Sequence, residues 1–285
     1  MLRIGVDAGG TFTDFVVLRE DGTLESFKLR SNPRAPARVI LEGLTRAAGG
    51  AAADVVHGST VATNALLERK GARTALVVTA GFEDLIAIGR QNRAELYNLA
   101  PALRRPLVRR ALCFGVRERT LFDGTRALKP SRAEIRSLRE RLRRAGVASV
   151  AICFLHAYQN PENERAAAAA AGDRYVSCSH EVCPEFREYE RASTTVLNAY
   201  LGPLMSDYLR ELEQDAPFRI SILQSNGGFM SPAEARRHAV RTVLSGPAGG
   251  VTGALGMARR SGFDRILAFD MGGTSTDVSL CLGQP

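Results

Sequence analysis

Eight residues near the start of the chain, Asp7-Ala8-Gly9-Gly10-Thr11-Phe12-Thr13-Asp14, return later as Asp270-Met271-Gly272-Gly273-Thr274-Ser275-Thr276-Asp277, six of the eight letters unchanged. Apolar residues flank both copies: Ile4 and Val6 lead into the first and Phe15, Val16 and Val17 leave it, while Leu267 and Phe269 precede the second and Val278 and Leu280 follow. Each copy reads as strand, tight Gly-Gly-Thr turn, strand, with the glycines expected to supply positive φ and a close backbone approach. A turn of this kind suits phosphate, because successive backbone N–H groups with no Cβ in the way form a concave donor surface. Thr11, Thr13, Thr274 and Thr276 add hydroxyl donors. An aspartate beside a polyphosphate would be repelled by roughly 4 kcal/mol at about 4 Å and an effective dielectric of about 20. That repulsion calls for a cation, and Mg²⁺ held through water by one or two carboxylates, here Asp7 and Asp270, is the expected one. The plain alternative is a pair of β-hairpins with glycine turns and nothing bound.

The rest of the composition narrows the class. The chain has 285 residues, 45% apolar and 24% charged, enough for one large or two medium domains with a substantial core. Its net charge of +8 comes almost wholly from arginine, since Lys28, Lys70 and Lys129 are the only lysines. The arginines are scattered through helical patterns with no nucleic-acid motif beside them, so a solvated surface is expected and nucleic acid is not. No apolar run approaches the ~18 residues of a membrane span. Met1 to Ile4 runs straight into the first strand without a secretory leader, so a cytoplasmic setting is expected. Five cysteines, of which Cys178 and Cys183 flank His180, fit neither a disulfide framework nor a zinc spacing and read as incidental thiols. No two glycines are separated by a single residue and no Gly-x-x-x-x-Gly-Lys-[Ser/Thr] run exists, which excludes a dinucleotide fingerprint and a P-loop.

Taken in order, residues 2–7, 13–19 and 23–29 read as strands, with Glu20-Asp21-Gly22 a hairpin turn. A helix is expected from Pro36 to Ala48, a short strand at Val55-Val56 and a helix from Thr60 to Lys70 stopped by Gly71. A strand at 74–79 and a helix at 82–88 complete a βββαβαβα order, which specifies a mixed sheet covered by helices. Ser131 and Glu134 are spaced as a capping box opening an Arg-rich amphipathic helix, and 149–154 reads as a buried strand. The alanines at 166–171 form a helix closed by Gly172. A long helix over 191–213 contains Gly202-Pro203, which is expected to kink or split it. A strand at 218–223 leads to the polar turn Gln224–Gly228, and a helix from Ser245 carries Gly249, Gly253 and Gly256 on a small-residue face.

With this order on the page, five stretches carry a resemblance: HGSTVATNALLERKGARTALVVTAGFEDLIAIGRQNR (57–93), PEFREYERASTTVLNAYL (184–201), QSNGGFMS (224–231), LSGPAGGV (244–251) and DMGGTSTDVSL (270–280). Together with the duplicated turn they resemble the hydantoinase A/5-oxoprolinase family, within the actin-like ATPase superfamily. The resemblance implies an α/β ribonuclease-H-like domain with a mixed sheet covered by helices, then the start of a second such half. It divides the chain into an N-terminal domain over 1–185 with the first phosphate loop, and the start of the hydantoinase A domain over 186–285 with the second. It implies that the small-residue helix crosses between the halves.

The family opens the ring amide of a 5-oxoproline- or hydantoin-like substrate at the expense of ATP. Amide resonance, seen in a rotational barrier of about 18–20 kcal/mol, protects such a ring, and phosphorylating the carbonyl oxygen removes it. The resemblance implies ATP phosphates on Gly9, Gly10, Thr11, Thr13, Gly272, Gly273, Thr274 and Thr276, and Mg²⁺ at Asp7 and Asp270. Substrate is expected near His57, Asn64, Arg90 and Arg191, and water activation falls to Asp14, Asp277 or Glu190. Because the family continues far past the second motif, residues 1–285 are expected to be its N-terminal portion, incomplete for turnover alone, with a second polypeptide completing the other half. Three alternatives stay open: a subunit of an ATP-driven ketone carboxylase of the acetone or acetophenone type, the phosphate-binding half of a sugar kinase, and a non-catalytic remnant that binds nucleotide weakly or not at all.

Overall fold

Alternation of apolar and polar residues dictates the first sheet. A computed structural model describes residues 2–32, 34–92, 97–99, 105–215, 218–271 and 276–283. In chain order the elements begin β1 (Leu2–Ala8), β2 (Phe12–Leu18), β3 (Leu24–Arg30), α1 (Pro36–Ala48), β4 (Ala53–Ser59) and α2 (Val61–Leu67). There follow β5 (Thr74–Thr79), α3 (Leu85–Ile88), β6 (Cys113–Val116), β7 (Arg119–Thr120), β8 (Arg126–Leu128), α4 (Arg132–Ala145) and β9 (Ser149–Cys153). Next come α5 (Glu162–Ala168), β10 (Tyr175–Cys178), α6 (Ser179–Val182), α7 (Glu188–Asp215), β11 (Arg219–Leu223) and β12 (Phe229–Met230). The last are α8 (Pro232–Arg237), α9 (Ser245–Arg260), β13 (Arg265–Met271) and β14 (Thr276–Leu282). No helix among the described residues is long and apolar enough to cross a membrane.

The chain forms two compact units, residues 1–68 with 204–285 and residues 69–203. In the first, six strands run in the order β12-β11-β4-β1-β2-β3. β1, β4 and β11 are mutually parallel, while β2 and β3 continue antiparallel from β1. Ile4, Val6, Phe15 and Val17 fill one face, and α1 packs on it through Ile40 and Leu44. Pro36 presets the first turn of α1, and Gly49 ends it at φ 56° with its N–H on the Thr45 carbonyl. Gly43 sits directly against the Phe15 ring, where a Cβ would overlap it. On the other face of the sheet, α9 packs against β4 and β11 on one side and β13–β14 on the other. Gly249 makes the first approach possible, since a Cβ there would lie 2.8 Å from Leu223 Cδ2. Gly253 and Gly256 face open space, so the expected small-residue face is used only toward the start of the helix.

The second unit is built on a parallel sheet ordered β10-β9-β5-β6. Every residue of β5 and β9 is buried, as a sheet covered on both faces requires. Ser131 caps α4 by accepting from Glu134 N, but the Glu134 carboxylate accepts from Arg117 N instead of closing the box. A complete capping box occurs at Ser231 and Glu234, opening α8 in the first unit. Two expected boundaries shift: α2 ends at Leu67, before a left-handed Arg69 rather than at Gly71, and α5 ends at Ala168. Gly71 serves a different purpose, lying where a Cβ would overlap the Tyr200 ring. Pro203 stays inside a continuous α7, and the division between the units falls immediately after it.

The overlap at Gly43 yields a stability test. Gly43→Val should cost about 1–3 kcal/mol through the overpacking of a buried ring, read as a lower urea midpoint, whereas Gly22→Ala, at an open turn with φ 85°, should cost less.

Candidate functional site

The first Gly-Gly-Thr turn closes the β1–β2 hairpin at the ends of parallel strands β1 and β4. Neither Gly9 nor Gly10 takes a positive φ, contrary to the sequence expectation. The need for glycine is one of room: Gly9 N donates to the Phe12 carbonyl, and a Cβ on Gly9 would lie 3.0 Å from that oxygen. Gly10 and Thr11 are exposed at the tip. Ser31, which the sequence reading missed, fastens the turn: its hydroxyl donates to the Gly9 carbonyl at 2.8 Å, and its N–H to the Thr11 carbonyl at 3.0 Å. The same hydroxyl lies 3.0 Å from Thr13 Oγ1. Thr13 is 2% exposed and faces inward with Phe15 and Val17, so its hydroxyl serves the turn and is not offered to a ligand. Thr276 begins β14 and is exposed; Gly272, Gly273 and Thr274 lie outside the described residues, as does Arg93.

Cross-strand register decides where the aspartates sit. Asp7 is paired directly with Asp14, and Asp270 with Asp277. Asp7 pairs in parallel register with Gly58, whose missing Cβ would lie 3.5 Å from Asp7 Oδ1, and Gly246, in the first turn of α9, leaves a similar gap at 3.7 Å. Gly250 of α9 is likewise bare toward Asp270 Oδ2. The Asp7 carboxyl is raised above the usual carboxylate range by surrounding protein first, then by the charges of Asp14 and Asp270. Lys28 answers Asp14 at 3.4 Å. Three carboxylates thus act on one another at Asp7, beside backbone that two glycines leave without a Cβ. That donor chemistry fits a hydrated hard cation.

Around the same strand ends, Thr60 donates through its hydroxyl and N–H to the Ala8 carbonyl, joining the end of β1 to the start of α2. Asn64 Nδ2 donates to Thr60 Oγ1, and a Cβ on Gly10 would lie 3.8 Å from that amide, so Asn64 adjoins the turn. Leu244, left-handed at φ 61°, leads into α9 with its N–H on Thr63 Oγ1. Gln224–Gly228 follows parallel strand β11, where Asn226 Oδ1 accepts from Gly228 N.

His57 departs from its expected place against substrate. It is 1% exposed, with Nε2 hydrogen-bonded to the Tyr208 hydroxyl inside the first unit. Burial pulls its imidazole down to about 4, a hydrogen bond to the Val6 backbone opposing.

In the second unit, Arg90 is ion-paired to Glu190 at 2.6 Å and lies over the Tyr189 ring. The hydrogen bond from Arg90 holds Glu190 below its ordinary range, which makes it a poor proton acceptor. Arg191 is 1% exposed; it donates to the Phe154 and Glu185 carbonyls and stacks on Tyr158, and its Nε has no partner. One further cluster brings ligand atoms of Glu164, Cys178 and His180 within 4.8 Å. Glu164 already accepts from Phe154 N, Ser179 Oγ and His180 N and pairs with His180 Nδ1 at 2.6 Å. Burial pushes the Cys178 thiol up, so it stays protonated. These contacts tie α5 to the ends of β9 and β10.

Comparison with known proteins gives the family. A model of the hydantoinase/oxoprolinase N-terminal region matches residues 3–174, and a hydantoinase/oxoprolinase model matches residues 191–285. The chain belongs to the hydantoinase/oxoprolinase family. It is 36% identical to caprolactamase subunit alpha of Pseudomonas jessenii, over 99% of this chain and 43% of that protein. It is 32% identical to 5-oxoprolinase of Saccharomyces cerevisiae, over 98% of this chain and 26% of that one. Among solved structures, nucleotide-free acetone carboxylase superposes with a TM-score of 0.87 at 29% identity, covering 99% of this chain and 44% of that chain. The chain thus spans less than half the length of these relatives, and its mixed sheet covered by helices is the actin-like ATPase fold.

The His57 environment predicts a pH dependence. Its folded pKa lies below the unfolded 6.5, so its contribution is present above pH 6.5 and is lost as pH falls toward about 4. The loss should approach about 3 kcal/mol, and denaturant titrations of His57→Gln should show that part of the acid slope removed. An unchanged slope would contradict the burial of a neutral imidazole.

Proposed function

We propose that this family member binds Mg-ATP at the Asp-Gly-Gly-Thr turn of its first unit and serves the ATP-dependent opening of a cyclic amide. The observation that carries the reading is the approach of Asp7 and Asp270, one from each copy of the motif, to Gly246 and Gly250 in the first turns of one helix, with Asp14 across the hairpin from Asp7. The names of the relatives, caprolactamase and 5-oxoprolinase, point to lactam substrates.

In this reading the exposed backbone of Gly10 and the Thr11 hydroxyl meet the phosphates, with Gly9 keeping the turn tight and Gly272, Gly273 and Thr274 meeting them from the second copy. Asp7 and Asp270 would hold hydrated Mg²⁺, which when bound offsets phosphate charge. Activation of water falls to Asp14 or Asp277, each directly across its hairpin from a cation-holding aspartate; the Arg90 ion pair leaves Glu190 less suited. Asn64 is the substrate candidate beside the turn; Arg191, buried within the second unit on the Phe154 and Glu185 carbonyls, is better suited to holding that unit together. A second polypeptide completes the activity, as the subunit name of the caprolactamase relative suggests for that protein. The acetone carboxylase match supports a second reading, a subunit of an ATP-driven ketone carboxylase.

Two experiments test these readings. Titration calorimetry with Mg-ATP should show binding that Asp7→Asn weakens at least tenfold, about 1.4 kcal/mol. Because Asp7 carries a raised pKa from burial and like charges, the same variant should raise the melting temperature of the ligand-free chain. Unchanged Mg-dependent binding in Asp7→Asn would remove the cation role, and no binding by the parent chain would defeat both readings. With the partner polypeptide present, ATP hydrolysis should be stimulated by 5-oxoproline, caprolactam or hydantoin. Stimulation by acetone plus bicarbonate alone would favour the carboxylase.

A further inference from the structure

The second unit buries a set of ligating groups that the nucleotide reading does not use. Glu164 of α5, Cys178 at the end of β10 and His180 of α6 bring a carboxylate oxygen, a sulfur and a ring nitrogen within 4.8 Å of one another. Glu164 is 0% exposed, Cys178 6% and the His180 side chain 9%. The Glu164 carboxylate is fully engaged: Oε1 accepts from Phe154 N and Ser179 Oγ, and Oε2 from His180 N and His180 Nδ1. Among the described residues no arginine or lysine pairs with that carboxylate, so its charge rests on His180. A buried carboxylate is unfavourable without a cation to match it. The ring has a defect of its own. With the Nδ1 proton directed at Glu164, a neutral imidazole turns a bare Nε2 toward the Glu181 carboxylate at 3.7 Å, and Nε2 is buried without a hydrogen-bond partner. Two acceptors facing each other cannot satisfy one another.

One change answers both defects. We propose that Glu164, Cys178 and His180 bind a zinc ion, which takes the place of the Nδ1 proton between His180 and Glu164 and of the proton on the Cys178 thiol. The ring proton moves from Nδ1 to Nε2, where it donates to Glu181, the carboxylate–histidine–metal arrangement that orients a ligating imidazole. The thiol proton leaves to solvent. Two anionic ligands then match the dication, and the buried group is neutral. A set of one oxygen, one nitrogen and one sulfur suits zinc, whereas Mg²⁺ takes oxygen. Zinc bonds of about 2.0–2.3 Å place tetrahedral ligands roughly 3.3–3.8 Å apart. The widest pair therefore closes by about 1 Å, and the Glu164–His180 pair opens from 2.6 Å. Water takes the fourth position. The ion staples α5 to β10 and α6, the elements that Glu164 already joins. Sequence spacing does not reveal the site, because Glu164 comes from another helix and Cys178-Ser179-His180 alone is no zinc signature. The site lies in the unit that does not carry the Asp-Gly-Gly-Thr turn, so it stands or falls apart from the Mg-ATP reading.

Cobalt is the probe, because Co²⁺ substitutes for zinc and reports a thiolate ligand by its absorption. The full chain, stripped of metal and titrated with Co²⁺, should develop a thiolate-to-cobalt charge-transfer band and intense visible bands that saturate at one equivalent. One equivalent of Zn²⁺ should abolish both. Cys178→Ser should remove the charge-transfer band, and His180→Gln should weaken cobalt binding at least tenfold, each with its circular dichroism unchanged. Cys183→Ser, at a neighbouring half-buried thiol, should leave the band in place. Zinc-edge X-ray absorption of the loaded parent chain needs no variant, and should give a single Zn–S bond of about 2.3 Å with nitrogen or oxygen completing the shell. A parent chain without the thiolate band, a band that survives Cys178→Ser or is lost in Cys183→Ser, or a zinc shell with no sulfur or more than one would overturn the proposal.

Discussion

The first unit is organised around a repulsion it does not relieve by itself. Asp7 faces Asp14 across the hairpin and feels Asp270 from the second copy, and Lys28, the cation that meets the group among the described residues, is spent on Asp14. A fold selected only for stability would replace one of these carboxylates or place an arginine among them, and the chain has arginine in abundance. Instead the surrounding backbone is cleared, by Gly58 on β4 and Gly246 on α9. Like charges kept close beside free volume are what a site for a multiply charged ligand requires before that ligand arrives.

The supporting structure follows from this. α9 is held against the first sheet by the approach of Gly249 to Leu223, and its other flank carries the hairpin that brings Asp270. One helix thus fixes the spacing between the two copies of the motif. Ser31, arriving from the far end of β3, closes the first turn by bonding to both Gly9 and Thr11. With those carbonyls and the Thr13 hydroxyl engaged internally, what the turn presents outward is the backbone of Gly10 and the Thr11 side chain.

Much of this was legible in the sequence, and the misreadings have physical causes. The duplicated motif, the βββαβαβα order and the span of α1 follow from period-two and period-3.6 patterns with clear end signals. Alternation places Thr13 with Phe15 and Val17 on the inward face, so the hydroxyl expected at phosphate lies against Ser31 instead. His57 shares parity with Val55 on the face packed inside the unit, and the feature that settles its role, Tyr208, lies 151 residues away. A contact that distant leaves no local trace. The same holds for Gly71, which reads as a helix stop but admits the Tyr200 ring, and for Gly43, which admits that of Phe15.

Duplication explains why two hairpins of one sequence pattern can have such different surroundings. The turn and its aspartates are the part of each repeat proposed to meet ligand, and there six of eight letters are kept. On the apolar face the volumes have changed in opposite directions, Phe15 to Val278 and Val6 to Phe269. Interiors are packed closely enough that such exchanges are tolerated only with a complementary change in the covering element. α1 therefore could not serve the second hairpin without losing fit at both positions. The turn chemistry is kept alike between the copies, while the apolar face of the first is matched to α1 and that of the second is not.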